Sequence, residues 1–158
     1  GSRNTNCFMS EGFNFDRYLL EFPQKNLKLM KALLLISRET KSIFAGIMEF
    51  TPEKKLKLTE AVGFNEESLS KFILTPEEDF YKTFIEEKKF VLLKTAVGVF
   101  QPLAKKFSPP DQKYLATCYF LPTLYKKSPS YLFLGLKNSN TSLNALNDDL
   151  YDLCTERY

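Results

Sequence analysis

The sequence has no histidine and no tryptophan among its 158 residues. Without imidazole there is no Ser-His or Cys-His nucleophile pair, no histidine metal site and no haem held by imidazole. The six glycines are scattered, so there is no glycine-rich phosphate loop. Carboxylate or lysine catalysis remains open, but the absences favour a non-catalytic protein with no cofactor and no metal.

Cysteine is also scarce, with Cys7, Cys118 and Cys154 as its three occurrences. The odd number and the wide spacing argue against a disulfide framework and offer no pair of metal ligands. Cys118 lies in an apolar run, which is typical of a small buried hydrophobic residue. This cysteine usage predicts a cytoplasmic location.

Long apolar runs and charge of one sign are missing as well. No stretch approaches the 18 apolar residues of a membrane span, and no signal peptide is evident, so we expect no membrane insertion. The 22 basic and 19 acidic residues nearly balance, which argues against a nucleic-acid partner. Lysine pairs at probable turns are interpreted as solvated loop edges, with a phosphate or acidic partner as the alternative.

The composition is that of a globular protein, with 44% hydrophobic and 15% aromatic residues. Residues 1–14 are polar and are predicted to form a flexible N-terminal arm, in which Gly1-Ser2 resembles a cloning remnant. Residues 15–158 are predicted to form a single domain.

Periodicity predicts helices and strands in mixed order. The expected elements are a helix from about Phe15 or Pro23 to Glu39, strands at 43–50 and 56–62, a short helix at 66–72, a helix from Thr75 to about Glu87, a strand at 90–94, an irregular stretch at 95–112, strands at 114–125 and 131–137, and a final helix from Leu143. Thr75, Pro76 and Glu78 match a capping box. Antiparallel strands with helices at both ends predict an α+β fold.

Aromatic residues are the main positive signal, because many fall on elements that should pack around one sheet. They predict either an ordinary core or a partly open pocket for a small planar or apolar ligand. The pocket candidates are Phe44, Gly46, Phe64, Phe80, Tyr81, Phe84, Phe100 and Tyr119.

Leucine-rich stripes on the first and last helices predict either core packing or a homodimer seam. The dimer candidates are Leu27, Met30 and Leu34 on the first helix, and Leu146, Leu150 and Leu153 on the last.

Four segments resemble the GAF-like sensory domain family of bacterial signalling proteins. They are the hairpin at 43–64, the helix and strand at 80–93, the strand end Tyr119-Phe120-Leu121-Pro122, and the last strand and helix with Asp148, Asp149 and Leu150. The resemblance implies a profilin-like central antiparallel sheet with a pocket over one face, and terminal helices that form a dimer bundle. Longin-like and PAS-like sandwiches are the alternative folds.

The same resemblance implies a sensory module that binds an unknown small molecule and signals through its terminal helices. A degenerate module that acts only in dimerisation or protein–protein interaction is the alternative. The family's cyclic-nucleotide signature is incomplete here, and its bilin-binding Cys-His pair is absent. A branch that reduces methionine sulfoxide with cysteines is a remote alternative that would depend on Cys118.

Overall fold

The computed structural model describes residues 7–9, 12–21, 28–94, 100–137 and 142–154. The helices are α1 (Phe15–Glu21), α2 (Leu29–Thr40), α3 (Glu66–Lys71), α4 (Phe100–Ala104), α5 (Pro109–Tyr114) and α6 (Leu143–Cys154), with a π-helical turn at Tyr81–Ile85. The strands are β1 (Phe8–Met9), β2 (Gly12–Phe13), β3 (Phe44–Phe50), β4 (Leu56–Val62), β5 (Ile73–Leu74), β6 (Val91–Lys94), β7 (Thr117–Tyr125) and β8 (Ser128–Leu136).

Six strands form one antiparallel sheet in the order β5-β4-β3-β8-β7-β6, and β1 and β2 form a separate hairpin. The two predicted hairpins, β3–β4 and β7–β8, are confirmed and meet at the sheet centre, where β3 pairs with β8. Pro122 lies beyond the last β7 residue that pairs with β6, so its missing N–H removes no bond to that strand. The expected α+β class is confirmed.

The period of two along each strand sends alternate side chains to opposite faces of the sheet. Ile47, Tyr119 and Leu134 point toward the core beneath α1, α2 and α6, which we call the helical face. Met48 and Phe133 point to the other side, the aromatic face, which residues of α3, the π-helical turn, α4 and the loop after it cover.

Within the stretch 1–14, which the sequence predicts to be a flexible arm, residues 7–9 and 12–14 form part of the fold. Cys7 and Phe13 are buried in the core of the helical face, and the β1–β2 hairpin packs beside α6. Asn14 begins α1, because its side-chain oxygen accepts the N–H of Arg17. In place of one helix that begins at about Phe15 or Pro23 and ends at Glu39, the structure has α1 and α2, and residues 22–27 lie outside the described residues.

The stretch 95–112 was expected to be irregular, but α4 and α5 lie within or overlap it. Two prolines open α5 at its first positions, where the missing N–H groups remove no helical bond. Half of the capping box is confirmed: the Glu78 carboxylate accepts the Thr75 N–H at 2.8 Å. The Glu78 N–H bonds the Thr75 carbonyl instead of its hydroxyl. Thr75 therefore starts a turn, and helical hydrogen bonds follow from Glu78 onward.

Candidate functional site

The aromatic face is filled by the rings of the protein itself. Phe72, Phe107, Phe120 and Phe133 are fully buried there. The ring centroids of Phe72 and Phe107 are 4.8 Å apart, and those of Phe72 and Phe133 are 5.0 Å apart in an edge-to-face arrangement. These distances are those of packed aromatic pairs, so among the described residues these four rings fill the centre of the face with one another.

Most of the predicted pocket residues do come together on this face. Phe44, Phe64, Phe80, Tyr81 and Phe84 all belong to its core or pack against it. The rings of Phe44 and Phe64 stack at 4.5 Å, and those of Phe80 and Phe84 lie 5.2 Å apart. These contacts favour an ordinary core over an open pocket for Phe44, Phe64, Phe80 and Phe84. Tyr81 belongs to the same core but also lines a cavity at the end of the sheet.

Of the other three candidates, Tyr119 and Gly46 do not line such a pocket. Tyr119 lies on the helical face, where its ring is buried and its hydroxyl donates a hydrogen bond of 2.6 Å to Asn147 Oδ1 on α6. At Gly46 a Cβ atom would come within 2.6 Å of Leu58 Cδ1, so this glycine makes room for β4 instead of a ligand. Phe100 begins α4, but its side chain lies outside the described part of the chain.

A cavity of about 630 Å³ opens at the end of the sheet, where the β3–β4 and β7–β8 turns meet the π-helical turn. We call it the sheet-end cavity. Its lining residues are Glu49, Phe50, Thr51, Lys54, Tyr81, Ile85, Glu86, Lys88, Ser128, Pro129 and Ser130. The Tyr81 hydroxyl donates to the Lys54 carbonyl at 2.5 Å and so joins the π-helical turn to the β3–β4 turn. The sequence pointed to Tyr81 but not to the cavity, because the other lining residues come from separate strand ends and turns and no local pattern groups them.

The sheet-end cavity carries both signs of charge. Glu49 accepts a hydrogen bond of 2.6 Å from the Thr59 hydroxyl, which fixes its carboxylate. Burial and the nearby Glu86 carboxylate raise the pKa of Tyr81, so its hydroxyl stays protonated at neutral pH. The lysines Lys54 and Lys88 have left-handed backbones, with φ of 68° and 56°. A side chain in that conformation costs free energy relative to glycine.

The predicted dimer seam is wrong for the last helix. Leu146, Leu150 and Leu153 are buried in the core of the helical face, so they are not available to a second subunit. On α2, by contrast, Met30 and Leu34 are 44% and 56% exposed. Leu27 lies outside the described residues.

The outer surfaces of α2 and α6 carry opposite charges. Lys31, Arg38 and Lys41 line a groove of about 640 Å³ on α2 together with Leu34, and we call these three the cationic strip. The acidic strip of α6 consists of Asp148, Asp149 and Asp152, with the exposed ring of Tyr151 beside it. α2 and α6 contact each other on one face of the sheet, and Asp149 of α6 lies near both Lys41 and Glu39 of α2. The two strips therefore approach each other at Lys41 and Asp149.

The cysteines do not match their sequence-based interpretation. Cys7 and Cys154 form a disulfide, which overturns the argument from number and spacing. Cys118 is buried as predicted, and burial raises the pKa of its thiol well above the ordinary value. No group of three or more potential metal ligands occurs within the described ranges. None of the helices described is long and apolar enough to cross a membrane.

Solved structures share this architecture. A GAF domain of the Acinetobacter phosphoenolpyruvate-protein phosphotransferase superposes with a TM-score of 0.55 at 17% identity, over 82% of this chain and 75% of that one. The chain has the GAF-like fold. A GAF domain of a Bacillus halodurans two-component sensor histidine kinase matches with a TM-score of 0.51 at 15% identity, over 78% and 91% of the two chains.

A Staphylococcus aureus NreA protein, mutated in its nitrate binding site, is also similar in structure to this chain. Its TM-score is 0.51 at 18% identity, over 70% of this chain and 83% of that chain. The amino-acid sequence itself matches no family model and gives no significant match to a curated protein. The likeness therefore lies in the sheet topology and its covering helices, and the residues of the site have to be interpreted on their own.

Proposed function

We propose that this GAF-like domain is a non-catalytic regulatory module of a bacterial signalling protein, which works by pairing with a second copy through the outer surfaces of α2 and α6. The observation that carries the proposal is the pair of oppositely charged strips on α2 and α6, on the side of the sheet opposite the filled aromatic face. The bacterial setting rests on the structural neighbours, which include GAF domains of a phosphotransferase and of a sensor histidine kinase.

A two-fold axis suits this surface. In an isologous dimer each patch meets the complementary patch of the other subunit, so the cationic strip of one copy can face the acidic strip of its partner twice. Leu34 and Met30 supply exposed apolar area next to the cationic strip, and Tyr151 does so next to the acidic strip. Aromatic and apolar anchors surrounded by charge are typical of specific interfaces.

The chemistry of the cysteines supports a non-catalytic role. Catalysis by a cysteine needs an accessible thiolate. Cys118 is fully buried with a raised pKa, and the other two sulfurs are bonded to each other below the opposite face. The methionine sulfoxide reductase alternative is therefore disfavoured.

Charge exchange tests the proposed dimer. Arg38→Glu and Asp148→Lys should each shift the protein toward monomer in sedimentation velocity, because each places like charges across the interface. A mixture of the two variants should recover dimer, because both contacts between the strips of the mixed dimer then join opposite charges. Lys82→Glu, an exposed change on the π-helical turn, is the control and should leave association unchanged. Equal behaviour of all variants would reject the α2–α6 surface.

A second candidate function is small-molecule sensing at the sheet-end cavity. Its volume lies in the range of ligand sites, and acidic, basic, hydroxyl and aromatic groups converge on it. The structurally similar NreA protein of Staphylococcus aureus has a nitrate binding site, so an architecture like this one accommodates at least one small ligand. A ligand would act by binding one state of the domain more tightly than another.

Native mass spectrometry of the purified protein tests this candidate, because a retained ligand adds a discrete mass. Tyr81→Phe removes the hydroxyl that ties the cavity wall to Lys54 and should reduce retention, while Tyr114→Phe on exposed α5 should not. An unmodified mass under gentle conditions, together with no thermal shift from a metabolite panel, would reject it.

The Cys7–Cys154 bond removes the cysteine-based argument for the cytoplasm, so the location forms no part of the proposal.

A further inference from the structure

Two cysteines separated by 147 positions in sequence are joined by a disulfide. Cys7 precedes the β1–β2 hairpin, and Cys154 ends the described part of α6. Both are fully buried beneath the helical face. The third cysteine, Cys118, belongs to the core of the opposite face, so the sheet separates it from the pair. Thiol–disulfide chemistry is therefore confined to one defined pair.

The bond fastens a short element. Each strand of the hairpin has two residues, and an isolated two-stranded hairpin is marginal at best in water. The Asn14 N–H bond to the Cys7 carbonyl at 2.7 Å closes the hairpin itself. Contacts of β2 with β7 and ring contacts of Phe8 with Tyr151 and of Phe13 with Tyr18 hold it on the domain. The disulfide adds a covalent link from this hairpin to the C-terminal end of α6.

We propose that the Cys7–Cys154 bond is a redox latch that controls whether the β1–β2 hairpin is docked on α6. A dithiol reductant opens it: one thiolate attacks one sulfur, the other cysteine leaves as a thiolate and is protonated, and the second reductant thiol resolves the mixed disulfide. Two electrons and two protons pass to the protein, and the reductant leaves as a disulfide.

The rest of the domain does not depend on the latch. Leu146, Leu150 and Leu153 keep α6 on the sheet through apolar packing, and the six-stranded sheet has its own hydrogen-bonded ladder. Reduction should therefore release the hairpin and loosen the last turn of α6 while the sheet stays folded. Because both sulfurs are buried, the reductant reaches them only after local opening. The latch lies on the helix that carries the acidic strip, but it does not depend on the proposed dimer.

Amide hydrogen exchange measured by mass spectrometry, before and after dithiothreitol treatment without denaturant, tests the latch. Exchange in residues 7–14 and 150–154 should increase about tenfold or more, since local opening then costs less free energy, while exchange in 131–136 of β8 stays unchanged. Alkylation should label Cys7 and Cys154 but not Cys118, and reoxidation should restore protection. Cys7→Ser and Cys154→Ser should each reproduce the reduced pattern, with Cys118→Ala as the control.

Three results would overturn the proposal. Unchanged exchange after complete reduction would mean that the bond does not hold the hairpin. Loss of protection throughout the sheet would mean that the disulfide stabilises the whole fold and not the hairpin alone. A bond that dithiothreitol does not reduce without denaturant would be a permanent crosslink. If a serine variant fails to fold, reduced wild-type protein provides the same comparison.

Discussion

Asp149 on α6 lies beside Glu39 on α2, and burial together with the Glu39 carboxylate raises the pKa of Asp149. A group whose pKa is higher in the folded state adds stability below its unfolded pKa, and this stability is lost as pH rises through the folded pKa. At neutral pH the ionised carboxylate of Asp149 therefore destabilises the folded state, through its burial first and the nearby Glu39 carboxylate second.

Asp149→Asn should consequently raise the free energy of unfolding at pH 7 and have no effect below the ordinary aspartate pKa of 3.8. Glu39→Gln should give part of the same gain, and the double variant should fall short of the sum because the residues interact. Urea denaturation of dilute protein at both pH values measures this. A gain that persists in acid would mean that the charge of Asp149 is not its cause.

The filled aromatic face gives the second prediction. Phe72 is fully buried and its ring contacts Phe64, Phe107, Phe120 and Phe133. Phe72→Ala should lower the free energy of unfolding by about 3–5 kcal/mol, whereas Phe90→Ala at a 36% exposed ring should cost about 1 kcal/mol or less. Equal small losses in chemical denaturation would indicate that the face is a loosely filled pocket.

Left-handed lysines give the third prediction. Among the described residues, all non-glycine positions with positive φ are lysines: Lys41, Lys54, Lys88, Lys126 and Lys127. Lys126 and Lys127 form the two-residue β7–β8 turn, a position that normally favours Asn-Gly. The Asp16 carboxylate compensates in part by accepting both of their backbone N–H groups at 2.8 Å.

Lys127→Gly should therefore raise the free energy of unfolding by about 0.5–1 kcal/mol, because glycine adopts this φ without a Cβ clash. Lys57→Gly is the matched control: Lys57 is exposed on β4, and the same change there should cost about 0.5–1 kcal/mol. Thermal melts of the two variants should move in opposite directions. A common direction would show that backbone conformation is not the source.

Glu78 gives the fourth prediction. Burial alone would raise its pKa, but hydrogen bonds from the Thr75 N–H and from Lys106, whose ammonium lies 3.0 Å away, outweigh burial and hold the pKa below its ordinary value of 4.5. Such a lowered pKa adds stability above pH 4.5 that disappears as pH falls through the folded pKa. Glu78→Gln should remove this part of the acid dependence of unfolding.

Thr75→Ala is the comparison for Glu78→Gln. It deletes a hydroxyl 3.1 Å from the carboxylate but leaves the stronger 2.8 Å backbone bond in place. We expect it to cost less than Glu78→Gln at pH 7 in urea denaturation. The reverse order would show that Thr75 caps the helix through its hydroxyl after all.

Sequence patterns predicted the hairpins well because period-two alternation and turn residues are local signals. The strand predicted at 56–62 is β4 residue for residue, and 66–72 holds α3. The leucines of α6 show the limit of such reasoning. A core stripe and a dimer seam use the same three- and four-residue spacing, so only the position of α2 and the sheet decides between them.

Two other features depend on contacts that no local pattern records. The Cys7–Cys154 bond forms because the N-terminal hairpin docks beside the end of α6, and this proximity is set by the complete fold. The sheet-end cavity arises where three turns meet, and turn residues such as Thr51 and Lys54 have no periodicity that would group them. Tyr81 was found because it lies on a periodic helical segment.

The association state of the wild-type protein tests the central claim most directly. Sedimentation equilibrium at high micromolar concentration should give the mass of a dimer in low salt and a shift toward monomer as salt increases, because salt screens the charged strips. A monomer at every concentration and salt, or a dimer that salt does not weaken, would contradict pairing through the cationic and acidic strips of α2 and α6.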